Sequence, residues 1–344
     1  MTKQQSIQGL VESLRPGLIA SAADDDPSGI ATYSQVGAQF RFGLVWTLLL
    51  TTPLMISSYE RSVRVLKWLA LALFAYVAVL LTIQVPWRQI GVETFKPWAF
   101  LNTTKAWKDY GAMVVGVLGK TISPYLFFWQ SAQEVEDKNR RPDALALHSH
   151  PEYAAEHLAR IKQDTFIGMI FSNLIGIFIV IATAVTLNLQ GITEIQTLAQ
   201  AALALKPVAG EFAFVVFALG IIGTGLWAVP MLAGSAAYAV SEVFSWTTGL
   251  SHRFNEARGF YLMIIMATGI GSLLSYFEVD PIQTLIWSAV VNGVISVPIV
   301  AAMMWIGKSK KLMGAQTISS RHRFFGWTAT GVIAIAVVLM FATP

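Results

Sequence analysis

Apolar residues in this chain gather into long runs with few charges, and polar residues are confined to the short stretches between them. Seven such runs, at about 42–59, 66–87, 164–190, 212–243, 259–277, 283–307 and 324–343, approach or exceed the roughly 20 residues that a helix needs to cross a hydrocarbon core. Two further runs, about 14–40 and 110–135, are interrupted part-way. The first breaks at Asp24-Asp25-Asp26-Pro27-Ser28-Gly29 and the second at Gly119-Lys120-Thr121-Ile122-Ser123-Pro124. The pattern predicts nine membrane-spanning helices, two of them broken, in one transmembrane domain covering residues 1–344. An unwound backbone at membrane depth is tolerated only where protein or a water-filled cavity satisfies its N–H and C=O groups. A pair of interrupted spans therefore points to a substrate site in a transporter.

Composition agrees with the pattern. Hydrophobic residues make up 55% and charged residues 13%, with a mean hydropathy of +0.57. That is too little polar surface to cover a soluble globule of this size, so the bilayer is the first expected partner. The polar segment Met1–Ser13 has no cleavage-site pattern after it, and the first helix is expected to stay. With no cysteine in the chain, disulfides, thiolate ligands and Cys nucleophiles are excluded, and any metal must be met by oxygen or imidazole. Neither a phosphate loop, a Ser/His/Asp set nor an HExxH pattern is present, so the sequence argues against an enzyme and calls for no cofactor.

Charge placement sets the expected orientation. With nine spans and the N-terminus inside, 17 of the 24 Lys and Arg residues fall in inner segments, which predicts a cytoplasmic N-terminus and an outer C-terminus. The net charge of +4 then reflects topology, and no nucleic-acid partner is implied. The chain is otherwise similar to a bacterial inner-membrane protein.

An inverted-repeat transporter carries equal numbers of spans in its two halves. From the second broken helix onward five spans run to about residue 307, with one more after it, whereas only three run from the first broken helix to about residue 87. Two spans are missing from the first repeat. Because two is even, the charge parity of the later loops is unaffected.

The residues around both breaks carry a family resemblance. Arg15-Pro16-Gly17-Leu18-Ile19-Ala20 through Asp26-Pro27-Ser28-Gly29-Ile30-Ala31-Thr32, followed by Gln35-Val36-Gly37-Ala38-Gln39-Phe40, resembles the first helix of the Nramp family of proton-coupled divalent metal transporters. Gly119 to Ser131 resembles that family's sixth helix, and Gly223-Thr224-Gly225-Leu226-Trp227-Ala228-Val229-Pro230 its eighth. Near Ser57-Ser58-Tyr59-Glu60-Arg61 the chain passes from a stretch similar to the second helix directly to one similar to the fifth, Val63-Arg64-Val65-Leu66-Lys67-Trp68. The resemblance implies a LeuT-like inverted-repeat fold that lacks helices three and four, with a divalent metal ion as substrate.

Asp26, just before Pro27, offers a carboxylate, and freed carbonyls such as that of Ala23 can converge with it on a cation; the alternative is a polar helix end facing water. By resemblance both positions are metal ligands. The family's Asn ligand falls on Gly29, which has no side chain, its Met ligand on Ser123, and a small residue used for its carbonyl on Lys120. Loss of a thioether in favour of oxygen donors points to hard ions such as Mn²⁺ or Mg²⁺. The Lys120 ammonium can pair with Asp24 or Asp25, or snorkel along its helix. The histidines of the family's sixth helix fall on Tyr125 and Gln130, which do not titrate near neutrality, so transport need not be coupled to protons. Glu134 and Glu136 remain as relay candidates or as a solvated helix end, and Asn292 with Gly293 as pathway or packing residues. His148, His150, Glu152, Glu156 and His157 read as a solvated loop. Two function classes follow. One is a transporter of divalent cations, and the other is a shortened membrane protein that does not transport, with apolar faces free to contact lipid or another copy of the chain.

Overall fold

The computed structural model describes residues 26–28, 30, 31, 34, 74–96, 104–140, 151–250, 252–274 and 280–342. Among these residues the chain is helical and has no β-strand. The helices in chain order are α1 (Phe74–Thr82), α2 (Trp87–Phe95), α3 (Thr104–Thr121), α4 (Pro124–Arg140), α5 (Pro151–Thr186), α6 (Ala213–Val243), α7 (Arg258–Leu274), α8 (Pro281–Lys308) and α9 (Ser320–Ala342). Short helical turns between Leu198 and Phe212 join α5 to α6. Five helical stretches among the described residues are long and apolar enough to cross a membrane: Trp107–Glu136, Leu158–Gln190, Leu198–Ile222, Pro281–Lys308 and Ser320–Ala342. The third runs through a turn at Gly210, whose φ is 53°. The uninterrupted α6 is therefore the better spanning element there.

The helix ends follow from local chemistry. Pro281 occupies the first turn of α8, where its missing N–H costs nothing, and the Asp280 carboxylate accepts from the N–H groups of Ile282 and Gln283. Helix α5 begins at Pro151, well before its apolar part, because the polar stretch up to Gln163 continues the same helix. The segment carrying Glu152, Glu156 and His157 is thus helical, while His148 and His150 lie outside the described residues.

One large apolar core joins every one of these helices except α7, from Tyr76 of α1 through Leu126 of α4 to Met340 of α9. Its tightest crossing is between α3 and α8. A Cβ built on Gly119 would lie 2.1 Å from the backbone nitrogen of Gly293, and one built on Gly293 would lie 2.3 Å from the carbonyl oxygen of Val115. The two backbones touch, as small residues allow in membrane helices. The structure thereby gives Gly293 a packing role, while its neighbour Asn292 is half-buried. A smaller cluster of Ala132, Ala237, Tyr238, Ala257 and Phe260 holds α4, α6 and α7 together.

Candidate functional site

The site is assembled from two places where a helix begins with proline. Pro27 and Ser28 are the first helical residues after Asp26, and the Asp26 carbonyl accepts the N–H of Ile30 at 3.0 Å. Asp26 is therefore the N-cap of a helix that starts at Pro27, the arrangement that Asp followed by Pro favours. Its carboxylate stands at the positive end of that helix, and its side chain is only 5% exposed. The Ser28 hydroxyl donates to Asp26 Oδ1 at 2.7 Å.

The second break is two residues wide. Helix α3 ends at Thr121, α4 starts at Pro124, and Ile122 and Ser123 form the turn between them. Carbonyls at the end of α3 are met by nearby hydroxyls. The Thr121 hydroxyl donates to Val117 O at 3.0 Å and to Leu118 O at 3.2 Å, and the Ser123 hydroxyl donates to the carbonyl of Lys120. Ser123 is completely buried, as is Lys120.

Lys120 joins the two breaks. Its ammonium lies 3.0 Å from Asp26 Oδ1 and donates to the Tyr125 hydroxyl at 3.2 Å. The Tyr125 hydroxyl in turn lies 3.5 Å from Asp26 Oδ2, a long contact. The sequence pointed to Asp24 or Asp25 as the partner, or to a lysine snorkelling outward. The structure instead pairs Lys120 with Asp26 and leaves none of its side chain in contact with the surroundings. The physical reason is the N-cap geometry, which turns Asp26 toward the α3–α4 break. Ala23, Asp24, Asp25 and Gly29 lie outside the described residues.

Two small-residue stretches of α6 position this assembly. A Cβ on Gly225 would lie 3.5 Å from Pro27 Cγ, so α6 carries the start of the first helix at ordinary contact distance. Ser235 donates to the carbonyl of Tyr125 at 2.7 Å, and a Cβ on Gly234 would strike the Trp129 ring at 2.4 Å. Helix α4 is thus held on α6 from its first turn onward. Gln130 on α4 is buried, with no partner for its Nε2 among the described residues.

A second polar cluster closes the far end of α4. Tyr238 donates to Glu136 Oε1, Gln133 Nε2 donates to the Tyr238 hydroxyl at 3.1 Å, and the Leu250 N–H donates to Glu136 Oε1 at 2.8 Å. Gly249 makes this possible, since at φ 127° it takes a conformation unfavourable to other residues and a Cβ there would lie 2.7 Å from Glu136 Oε1. Glu134 lies 3.7 Å from Arg160 on α5. Both glutamates are therefore engaged with neighbouring elements and differ from a freely solvated helix end. Sequence reasoning missed Tyr238, Gln133 and Ser28. The spacing of Ser28 two residues after a capping Asp was a usable signal, whereas Tyr238 is 102 positions from Glu136 and nothing local links them. Tyr238→Phe is expected to destabilise the protein by about 1–3 kcal/mol, because it strips a donor from a carboxylate and an acceptor from Gln133. Thermal unfolding in detergent measures this, and an unchanged midpoint would refute it.

Comparison with known proteins now decides the family. The family model described as natural resistance-associated macrophage protein-like (Nramp) matches residues 17–65 and 54–343, two stretches that overlap at 54–65. The chain belongs to this family. It is similar to the divalent metal cation transporter MntH of Clostridium acetobutylicum, with 25% identity over 276 residues that make up 78% of this chain and 57% of that protein. The protein of the same name from Caldanaerobacter subterraneus is 25% identical over 272 residues, covering 78% of this chain and 58% of the relative. That from Klebsiella pneumoniae is 25% identical over 228 residues, 66% of this chain and 49% of the relative. The Nramp chain described here thus spans between about half and three fifths of the length of these relatives.

Proposed function

We propose that this Nramp chain binds divalent metal cations at the junction of its two helix breaks and carries them across a membrane, with Asp26 as the charged ligand. The observation that carries the reading is the placement of Asp26, a buried carboxylate at a helix N-cap, beside the break that holds Ser123 and the Lys120 carbonyl. Buried carboxylates in membrane helices are expensive and are retained for function. The family membership and the relatives named as divalent metal cation transporters support the substrate class. An all-oxygen set of Asp26, Ala23 and Ser123 favours hard ions, Mn²⁺ or Mg²⁺. Tyr125 and Gln130, in place of titrating histidines, favour transport that is not coupled to protons. We place the chain in the LeuT-like inverted-repeat fold with nine spans and the N-terminus in the cytoplasm of a bacterial inner membrane.

A second reading has its own support. The family match comes as two stretches that overlap at 54–65, the region where the sequence passes from the second helix type to the fifth, and the matched regions cover little more than half of each relative. A chain shortened there would retain the cation site and lose part of the scaffold against which transport occurs. Under this reading it is a metal-binding membrane protein that transports poorly.

The test of the site is Asp26→Asn. Losing one charged oxygen from the ligand set is expected to weaken Mn²⁺ or Mg²⁺ binding by about 1.5–3 kcal/mol, while membrane insertion persists. Calorimetry on the purified proteins in detergent reads the difference, and equal affinities would remove Asp26 from the site.

A further inference from the structure

The cation position beside Asp26 is already filled by a cation that belongs to the chain. Lys120 is rooted in the last turn of α3, and its ammonium reaches across the break to 3.0 Å from Asp26 Oδ1. It is completely buried, so its water has been removed and its charge is met by protein alone. Asp26 supplies the opposite charge, the Tyr125 hydroxyl accepts at 3.2 Å, and the Tyr125 ring centroid lies 5.7 Å away. Ser28 donates to the same carboxylate oxygen as the ammonium. A buried ion pair of this kind is held together mainly because leaving either partner alone is so unfavourable.

We propose that Lys120 is a tethered competitor that sets the ion selectivity of this site. Its ammonium occupies the place of a substrate ion at Asp26, and a divalent cation binds there only when the ammonium leaves. This rests on the reading of Asp26 as the charged ligand. Charge arithmetic carries the argument. Asp26 and Lys120 together sum to zero, so an arriving ion finds no net attraction from the pair, and the other oxygens at the break, the Ser123 hydroxyl and the Lys120 carbonyl, are neutral. In a low-dielectric setting, an ion that entered with the ammonium still in place would meet a like charge at close range. Only an ion of high charge density repays the displacement, so the lysine discriminates against monovalent ions and weak divalent binders. Snorkelling offers no escape in this conformation, because the side chain has no exposed surface.

The experiment is a Mn²⁺ titration of the full chain in detergent, by calorimetry and by thermal shift, for the unmodified protein, K120M, D26N and the D26N/K120M double variant. Removing the ammonium is expected to raise Mn²⁺ affinity about ten- to a thousandfold, the range over which a neighbouring charge changes the occupancy of a carboxylate. Mn²⁺ should raise the melting temperature of K120M well beyond that of the unmodified chain, because it takes the place of the ammonium at Asp26. Both effects should vanish in the double variant. K120Q, which keeps a donor for Asp26, carries the same expectation should K120M fail to fold. Equal Mn²⁺ affinity in the unmodified chain and K120M, with binding lost in D26N, would overturn the tethered competitor while leaving the Asp26 site standing. Tighter binding that survives in the double variant, or no Mn²⁺ binding by any of the proteins, would remove the Asp26 site and the competitor with it.

Discussion

Gly293→Ala is expected to destabilise the protein by about 3 kcal/mol, at the upper end of what a single overpacking substitution does. The methyl group would have to occupy space 2.3 Å from the Val115 carbonyl oxygen and 2.7 Å from Val115 Cγ1. The first of these is backbone, so rotating a side chain cannot relieve the contact and α3 and α8 must separate. Gly119→Ala meets the same obstacle from the other side, with the nitrogen of Gly293 at 2.1 Å and the carbonyl oxygen of Ala289 at 2.4 Å. Because Gly119 immediately precedes Lys120, separating the helices also displaces the ammonium from Asp26. Gly269→Ala on α7 is the matched control, since nothing lies within 4 Å of the Cβ it would add. It is expected to be neutral or to stabilise the helix by up to about 1 kcal/mol. Thermal unfolding of the three variants in one detergent makes the comparison. A Gly293→Ala midpoint equal to that of Gly269→Ala would show that the helices do not meet as described.

The helices were legible because long apolar runs leave the backbone no alternative in a bilayer. The apolar run at 212–243 and the helix Ala213–Val243 nearly coincide, and the run at 283–307 lies within Pro281–Lys308. Where hydropathy and helix part company, the polar residues are responsible. A hydropathy reading starts α5 at its apolar part near 164, yet the chain is already helical from Pro151 on, because Ala154, Ala155, Leu158 and Ala159 are strong helix formers whatever solvent surrounds them. The α3–α4 break and the helix start at Pro27 were equally legible, since Asp26-Pro27 and Ser123-Pro124 both place a capping residue before a proline. Three successive aspartates, by contrast, give no indication that Asp26 turns toward Lys120. That orientation is set by the first turn of the helix starting at Pro27, which holds Asp26 as its cap and delivers its carboxylate to Lys120. The clasp formed by Glu136, Tyr238 and Leu250 could not be read in advance, because it joins residues more than 100 positions apart through an irregular turn at Gly249.

That clasp, together with the contacts of Ser235 and Gly234 with α4, bears on how much of the chain can move. Alternating access requires one group of helices to rock against another around a fixed site. Here α4 is fastened to α6 from Tyr125 to Glu136 and through Phe260 to α7, so these three helices form one unit. The site sits between that unit and the α3–α8 pair, whose backbones are in contact at Gly119 and Gly293. Motion that opens the site would shear α4 past α3 at the Ile122–Ser123 turn, through the apolar core that α3, α4, α6 and α8 share. A scaffold is needed to guide that shear.

Inserting two helices between Ser58 and Glu60 is expected to raise metal flux more than any substitution at the site, by an order of magnitude or more over the unmodified chain. On the proposed reading of a shortened first half, the two spans it lacks would belong to the group against which the broken helices rock, and the family match overlapping at 54–65 falls on the point where they would lie. On that reading the moving unit would lack part of its bearing surface and apolar faces would be left for lipid or another copy of the chain, so lower stability or self-association should accompany the low flux. Rebuilding tests both consequences at once. Mn²⁺ uptake into proteoliposomes should be slow for the unmodified chain and fast and saturable for the version carrying two further membrane-spanning helices taken from a longer relative. In that rebuilt background Asp26→Asn should abolish the gain, because the scaffold is useful only to a site that binds the ion. Rapid, saturable uptake by the unmodified chain, equal to that of the rebuilt one, would show that the shortened scaffold suffices and that the flux is governed by Asp26 and Lys120 alone.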